Sequence, residues 1–189
     1  IGFSMEIVLA RHGKLRMARG RWIAPRDLAE WIARYDRADI ESDAPPAAIQ
    51  SRVAASATLV SSTTFRCVQS ARRLAPNRTI LTEEVFREAE LPYAIWRSPK
   101  LPSSVWATLF RVGWFCGFCG QGESFFSARA RARIAAERLI ALGRDTGSVF
   151  LTGHGIMNML IAKQLLLLGA AGPNRPQAKH WAFSVYELG

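Results

Sequence analysis

Met5-Glu6-Ile7-Val8-Leu9-Ala10-Arg11-His12-Gly13 joins a short apolar, partly β-branched run to a charged turn. The run predicts a buried strand that ends in a loop at Arg11. Ser148–Thr152 repeats the pattern and passes through Gly153-His154-Gly155 into a helical stretch, Ile156 to Leu168. Between them lie two more short strands, Thr58–Ser62 and Thr79–Thr82, the second leading into the acidic segment 83–90. A final alternating segment, Trp181 to Leu188, reads as an edge strand. Helices are predicted over Pro25–Asp36, over Ala47–Ala55, from a cap at Thr63 or Thr64 to Leu74, and from Ser124 to Leu142, where Gly143 stops the chain. In the long one Phe125, Ala128, Ala132, Ile134, Ala135 and Leu139 face one side, and Arg129, Arg131, Arg133 and Arg138 face solvent. Leu101–Gly120 reads as a helix and then a glycine-bearing loop. Strands alternating with helices predict an α/β fold: three layers, α/β/α, around a mostly parallel central sheet.

A chain of 189 residues fits one core. With 49% apolar and 21% charged residues, wholesale disorder is excluded. The most apolar long stretch, Val149 to Ala171, carries His154, Asn158, Lys163 and Gln164 and makes a poor membrane span. Nothing before Arg11 resembles a secretory leader. Ile1 to Ser4 read as a remnant ahead of one domain at 5–189. Three cysteines, Cys67, Cys116 and Cys119, cannot all pair, so a reducing, cytoplasmic setting is expected. The net charge of +10 comes mainly from arginine, since only Lys14, Lys100, Lys163 and Lys179 are lysine. A basic surface concentrates anionic partners without selecting among them. No stacking or groove-reading motif points to nucleic acid.

Loops at the carboxyl ends of parallel strands converge on one crevice. His12 and His154, 142 positions apart, each follow a predicted strand beside glycine and are therefore expected to meet. Arg66 follows the strand at Thr58–Ser62, and the carboxylates around Glu88 follow the third strand. Two histidines, two arginines (Arg11 and Arg66) and a carboxylate make a phosphoryl-binding set, since guanidinium forks match phosphate oxygens.

The sequence resembles the histidine phosphatase superfamily, the phosphoglycerate mutase-like proteins. The likeness rests on Leu9-Ala10-Arg11-His12-Gly13, on Ser61-Ser62 through Arg66 to Gln69-Ser70-Ala71, and on Leu151-Thr152-Gly153-His154-Gly155. It spans Met5 to about Leu167. It implies a metal-independent, cofactor-free phosphatase acting on a phosphomonoester or related small anionic phosphate. It implies His12 as the nucleophile that becomes a phosphohistidine, with Arg11, Arg66 and His154 on the phosphoryl oxygens. The acid/base carboxylate maps to Glu88, with Glu90 as the alternative. Two other readings stay open: a phosphohistidine-protein phosphatase, and a non-catalytic phosphate-binding or regulatory member of the fold. Many relatives carry a small hydroxyl residue and an asparagine after the triad, where this chain has Leu15 and Ala18. That difference and the short chain count against a mutase.

The chemistry of the roles stands beside the resemblance. A histidine attacks only when neutral, and neighbouring arginines disfavour its protonation. A backbone carbonyl near Gly13 can hold one ring nitrogen so that the other faces phosphorus. The helix after Gly155 offers backbone donors to an anion. His180, beside Trp181, reads as structural or surface. Cys116-Gly117-Phe118-Cys119 has redox spacing but no second pair to make a zinc site. The aromatic stretch Trp106–Phe118 reads as core or as a cover over the site.

Overall fold

The computed structural model describes residues 4–17 and 20–189. Residues 1–3, most of the expected remnant, lie outside the described residues, as do Ala18 and Arg19. Five strands make the central sheet: β1 (Met5–Arg11), β3 (Thr58–Ser62), β4 (Leu81–Glu83), β6 (Ser148–Gly153) and β7 (Phe183–Leu188), in the order β4-β3-β6-β1-β7. All neighbours pair in parallel except β7, which runs antiparallel to β1 at the edge. The helices are α1 (Leu28–Arg37, after a 3-10 turn at Pro25–Asp27), α2 (Ala47–Ala55), α3 (Phe65–Leu74), α4 (Ser103–Phe115), α5 (Phe125–Thr146) and α6 (Gly155–Leu167).

The continuous apolar run of β1 is explained by its two covered faces. Ile7 and Leu9 pack with Leu139, Met157 and Ile161 on the α5 and α6 side. Val8 and Ala10 pack with Ile49, Val53 and Ala75 on the other. This is the expected three-layer α/β/α arrangement. A third, separate cluster of Ile23, Leu28, Ala94, Trp106 and Phe110 joins α1, α4 and the chain between them. Two-residue strands β2 (Trp22–Ile23) and β5 (Leu101–Pro102) pair there. The sequence did not announce that pair. Trp106 and Phe110 thus supply the core of a cap beside the sheet, whereas Trp114 is buried in the cluster of α5 and α6 and Phe115 and Phe118 are exposed.

Several boundaries differ from expectation. Gly143 does not end α5. It is buried inside it, where an added Cβ would stand 2.9 Å from Met5 Sδ, so glycine lets α5 approach β1 closely. The stop is Gly147, at φ +83°. Ile134 is 59% exposed, because the buried face runs through Ala128, Ala132, Ala135 and Leu139 and residue 134 falls one position off it. Arg131 points inward, as shown below. The third strand starts at Leu81, two residues later than expected, and pairs with Val60 to Ser62.

Candidate active site

In the pairing of β1 with β6, Arg11 lies opposite Gly153, so both strands end at one level. The His12 amide donates to the Gly153 carbonyl at 3.1 Å, and the rings of His12 and His154 stand edge to face with centroids 5.4 Å apart. The loop is tied to α3 by one hydroxyl. The Gly13 amide donates to Ser70 Oγ at 2.9 Å, and Ser70 Oγ donates to the Arg66 carbonyl at 2.7 Å. Glycine is required at 13, since an added Cβ would lie 2.4 Å from a ring carbon of Trp181.

The ring partners assign the tautomers. His12 Nδ1 sits 2.7 Å from the Gly13 carbonyl, an acceptor only. Nδ1 therefore carries the proton, and Nε2 carries the free lone pair. His12 is buried, its pKa lowered from 6.5 to about 3 by desolvation and then by the Arg66 charge, with smaller contributions from Arg11 and His180. The expected effect of the arginines is present, with burial the larger cause. His154 is wholly buried and also held well below 6.5, again mainly by desolvation and then by Arg66. Arg66 Nη2 faces His154 Nδ1 at 3.3 Å, which makes Nδ1 the acceptor. Nε2–H then donates to Ser62 Oγ at 2.9 Å, with Thr64 Oγ1 at 3.1 Å. Both nitrogens of His154 are thus engaged by neighbouring side chains.

Arg66 is 2% exposed, paired with Asp36 at 2.7 Å, its guanidinium 5.1 Å above the Tyr35 ring centre. Arg11 donates through Nη1 to the Ala178 carbonyl. The Nε atoms of both arginines are buried without a hydrogen-bond partner among the described residues. Buried donors left in that state cost about 1–3 kcal/mol each, which fits a place where an anion is to be received. Arg11, His12, Thr64, Arg66 and Glu88 line one cavity of about 760 Å³.

Glu88 reaches that cavity from the segment after β4. Its carboxylate accepts from the amides of Met157 at 2.8 Å and Ile156 at 3.3 Å. The first-turn donors of α6, expected to serve an anion, are here taken by Glu88 and fix its position. Glu90 also lines the cavity, but it is exposed and accepts from the Glu123 amide at 3.0 Å. Arg131 corrects the expectation of a solvated arginine face. It forks onto the Glu123 carboxylate at 2.7 and 3.0 Å and donates to the carbonyls of Val85, Arg87 and Glu88. It clamps the segment that carries Glu88.

Two side chains at the site were missed. The His180 ring lies 5.5 Å from that of His12, because Trp181, at φ 60°, turns the chain across the end of β1 and its amide donates to the Arg11 carbonyl at 3.2 Å. That return has no periodicity to read. Cys67 Sγ lies 3.3 Å from His154 Nε2, and burial pushes its thiol up to about 12. Its place one residue after Arg66 was the available signal. Leu15 is buried in the second core cluster. Cys116 and Cys119 are free and exposed. Among the described residues, no group of three or more His, Cys, Asp or Glu side chains could hold a metal ion, and no helix is long and apolar enough to cross a membrane.

The family model of the histidine phosphatase superfamily (branch 1) matches residues 7–189, and the chain belongs to that family. Among solved structures it is similar to mycobacterial glucosyl-3-phosphoglycerate phosphatase, with TM-score 0.65, 18% identity, and 97% of this chain and 90% of that one covered. It is similar also to a phosphoserine phosphatase of Entamoeba histolytica, solved as a mutant with phosphoserine, with TM-score 0.61, 13% identity, and 97% and 93% covered. A comparison with curated protein sequences finds no match.

Proposed function

We propose that this chain is a metal-independent phosphatase that hydrolyses a phosphomonoester through a phosphohistidine on His12. The observation that carries this reading is the His12 ring, its Nδ1–H fixed on the Gly13 carbonyl and its Nε2 lone pair left open, in one site with the buried Arg66 and the half-buried Arg11, whose Nε atoms have no hydrogen-bond partner among the described residues. In the first step Nε2 attacks phosphorus and the P–O bond to the alcohol breaks. Glu88, protonated, gives its proton to the departing oxygen. In the second step Glu88 takes a proton from water, water oxygen bonds to phosphorus, and the P–N bond returns its electron pair to His12. Arg11 and Arg66 carry the charge on the transferring oxygens, and His154 joins them by exchanging its Ser62 contact for a phosphoryl oxygen. Glu88 is preferred to Glu90 because α6, the helix that follows His154, holds it in place.

The cap of α1 and α4 beside the cavity favours a small phosphorylated molecule over a protein side chain. The free state of Cys67, Cys116 and Cys119 fits a reducing, cytoplasmic setting. The test is His12→Ala on a panel of phosphomonoesters. Turnover is lost, along with an acid-labile, base-stable phosphoenzyme that the parent forms. Full activity of the variant on an aryl phosphate overturns the assignment.

A further inference from the structure

We infer that the alcohol half of the substrate is apolar, so that the preferred class is a phosphomonoester of a hydrocarbon alcohol. This rests on the proposed phosphatase reading and concerns the part of the cavity beyond its phosphoryl end. At about 760 Å³ the cavity is far larger than one phosphoryl group needs. Beyond that end its lining includes Trp31, Ile32 and Tyr35 of α1, Leu91 and Tyr93 of the connecting segment, and Val112 of α4, with Thr108 and Gln121 as neutral polar members.

These walls form a continuous path. Tyr35 lies under the Arg66 guanidinium, and Trp31 stacks on Tyr35 with centroids 5.3 Å apart and planes 25° from parallel. An aromatic floor therefore starts at the phosphoryl ligand and runs outward. Of the apolar residues on α4 that line the cavity, Val112 is 58% exposed.

Apart from Arg11, the Arg66–Asp36 pair and Glu88, the charged side chains lining the cavity are Arg87, Glu90 and Arg111. Arg87 pairs with Glu84 on the surface, and Glu90 accepts from the Glu123 amide. Arg111 donates to the carbonyls of Ala89 and Glu90 and lies over the Trp114 ring. A carboxylate such as that of phosphoserine would meet mainly apolar surface, whereas methylenes or an aryl ring would displace water from that surface.

The experiment measures kcat/KM for n-alkyl phosphates from ethyl to octyl, which share one leaving-group chemistry, with 1-naphthyl phosphate and phosphoserine alongside. Expected is a rise of roughly threefold per methylene, carried by KM, until the wall is covered. Phosphoserine is expected to fall below propyl phosphate. A flat or falling series, or phosphoserine ahead of octyl phosphate, overturns the inference and leaves the phosphatase reading standing. Calorimetric binding of the same phosphates to the His12→Ala protein separates the two ideas. Affinity that climbs with chain length while the parent turns over none of them keeps the ligand class and removes the hydrolase. Absence of both turnover and binding removes both. Val112→Asp, an exposed replacement checked for an unchanged melting temperature, is expected to flatten the chain-length dependence. An unchanged slope in that variant also overturns the inference.

Discussion

Lowering the pH from 7 to 5 is expected to weaken the fold through its buried imidazoles. Folded His12 has a pKa of about 3, against 6.5 when exposed, so it stays neutral at both pH values while the unfolded chain gains a proton. Because the unfolded state binds more protons in this window, stability falls as pH falls; the neutral form's full contribution is present only above about 6.5. Between pH 7 and 5 the unfolded histidine gains about 2 kcal/mol of protonation free energy. His154, shifted in the same direction, adds a loss of the same sign. The assay is urea unfolding at the two pH values for the parent and for His12→Gln. The parent is expected to lose about 2 kcal/mol more than the variant over the interval, whatever their relative stability at pH 7. Equal losses would refute the reasoning, since His12 would then gain its proton in the folded state as readily as in the unfolded one. The same shift predicts that His12 places no acid limb on kcat/KM above pH 5.

Glu88→Gln is expected to lower kcat on an alkyl phosphate by about 10²–10⁴, with Glu90→Gln within about threefold of the parent. Steady-state kinetics on the two variants checks the choice, and the reverse ranking assigns Glu90. Gly13→Ala drives a Cβ into the Trp181 ring and should cost about 1–3 kcal/mol, read by thermal or urea unfolding. Arg131→Lys removes the fork onto Glu123 and the carbonyl contacts around Glu88; a loss of about 2 kcal/mol in urea unfolding is expected, with a lower kcat from the misplaced carboxylate. His180→Ala should reduce kcat/KM about tenfold, about 1.4 kcal/mol; an unchanged value would make the His12–His180 contact structural only.

The strand ends were legible because β1, β3 and β6 are covered on both faces, and continuous apolar runs have few other uses. Convergence of His12 with His154 and Arg66 followed from parallel pairing alone. What escaped depended on contacts between distant segments. Gly143 looks like a helix stop until Met5 is seen to press against it, and a stop and a close approach share one letter. Arg131 looks solvated in a run of arginines, and only its carbonyl partners, more than forty residues earlier in the chain, say otherwise. His180 reaches His12 through an irregular return that carries no period.

The cap's hydrophobic cluster is separate from the two clusters that hold the sheet. Replacements among Trp31, Ile32 and Tyr93 can therefore accumulate under a different selective pressure from those among Ile7, Leu139 and Ile161. Under the proposed reading, most of the wall that meets the alcohol can change while the strand ends that carry His12 and His154 stay as they are, with Tyr35 as the residue that belongs to both.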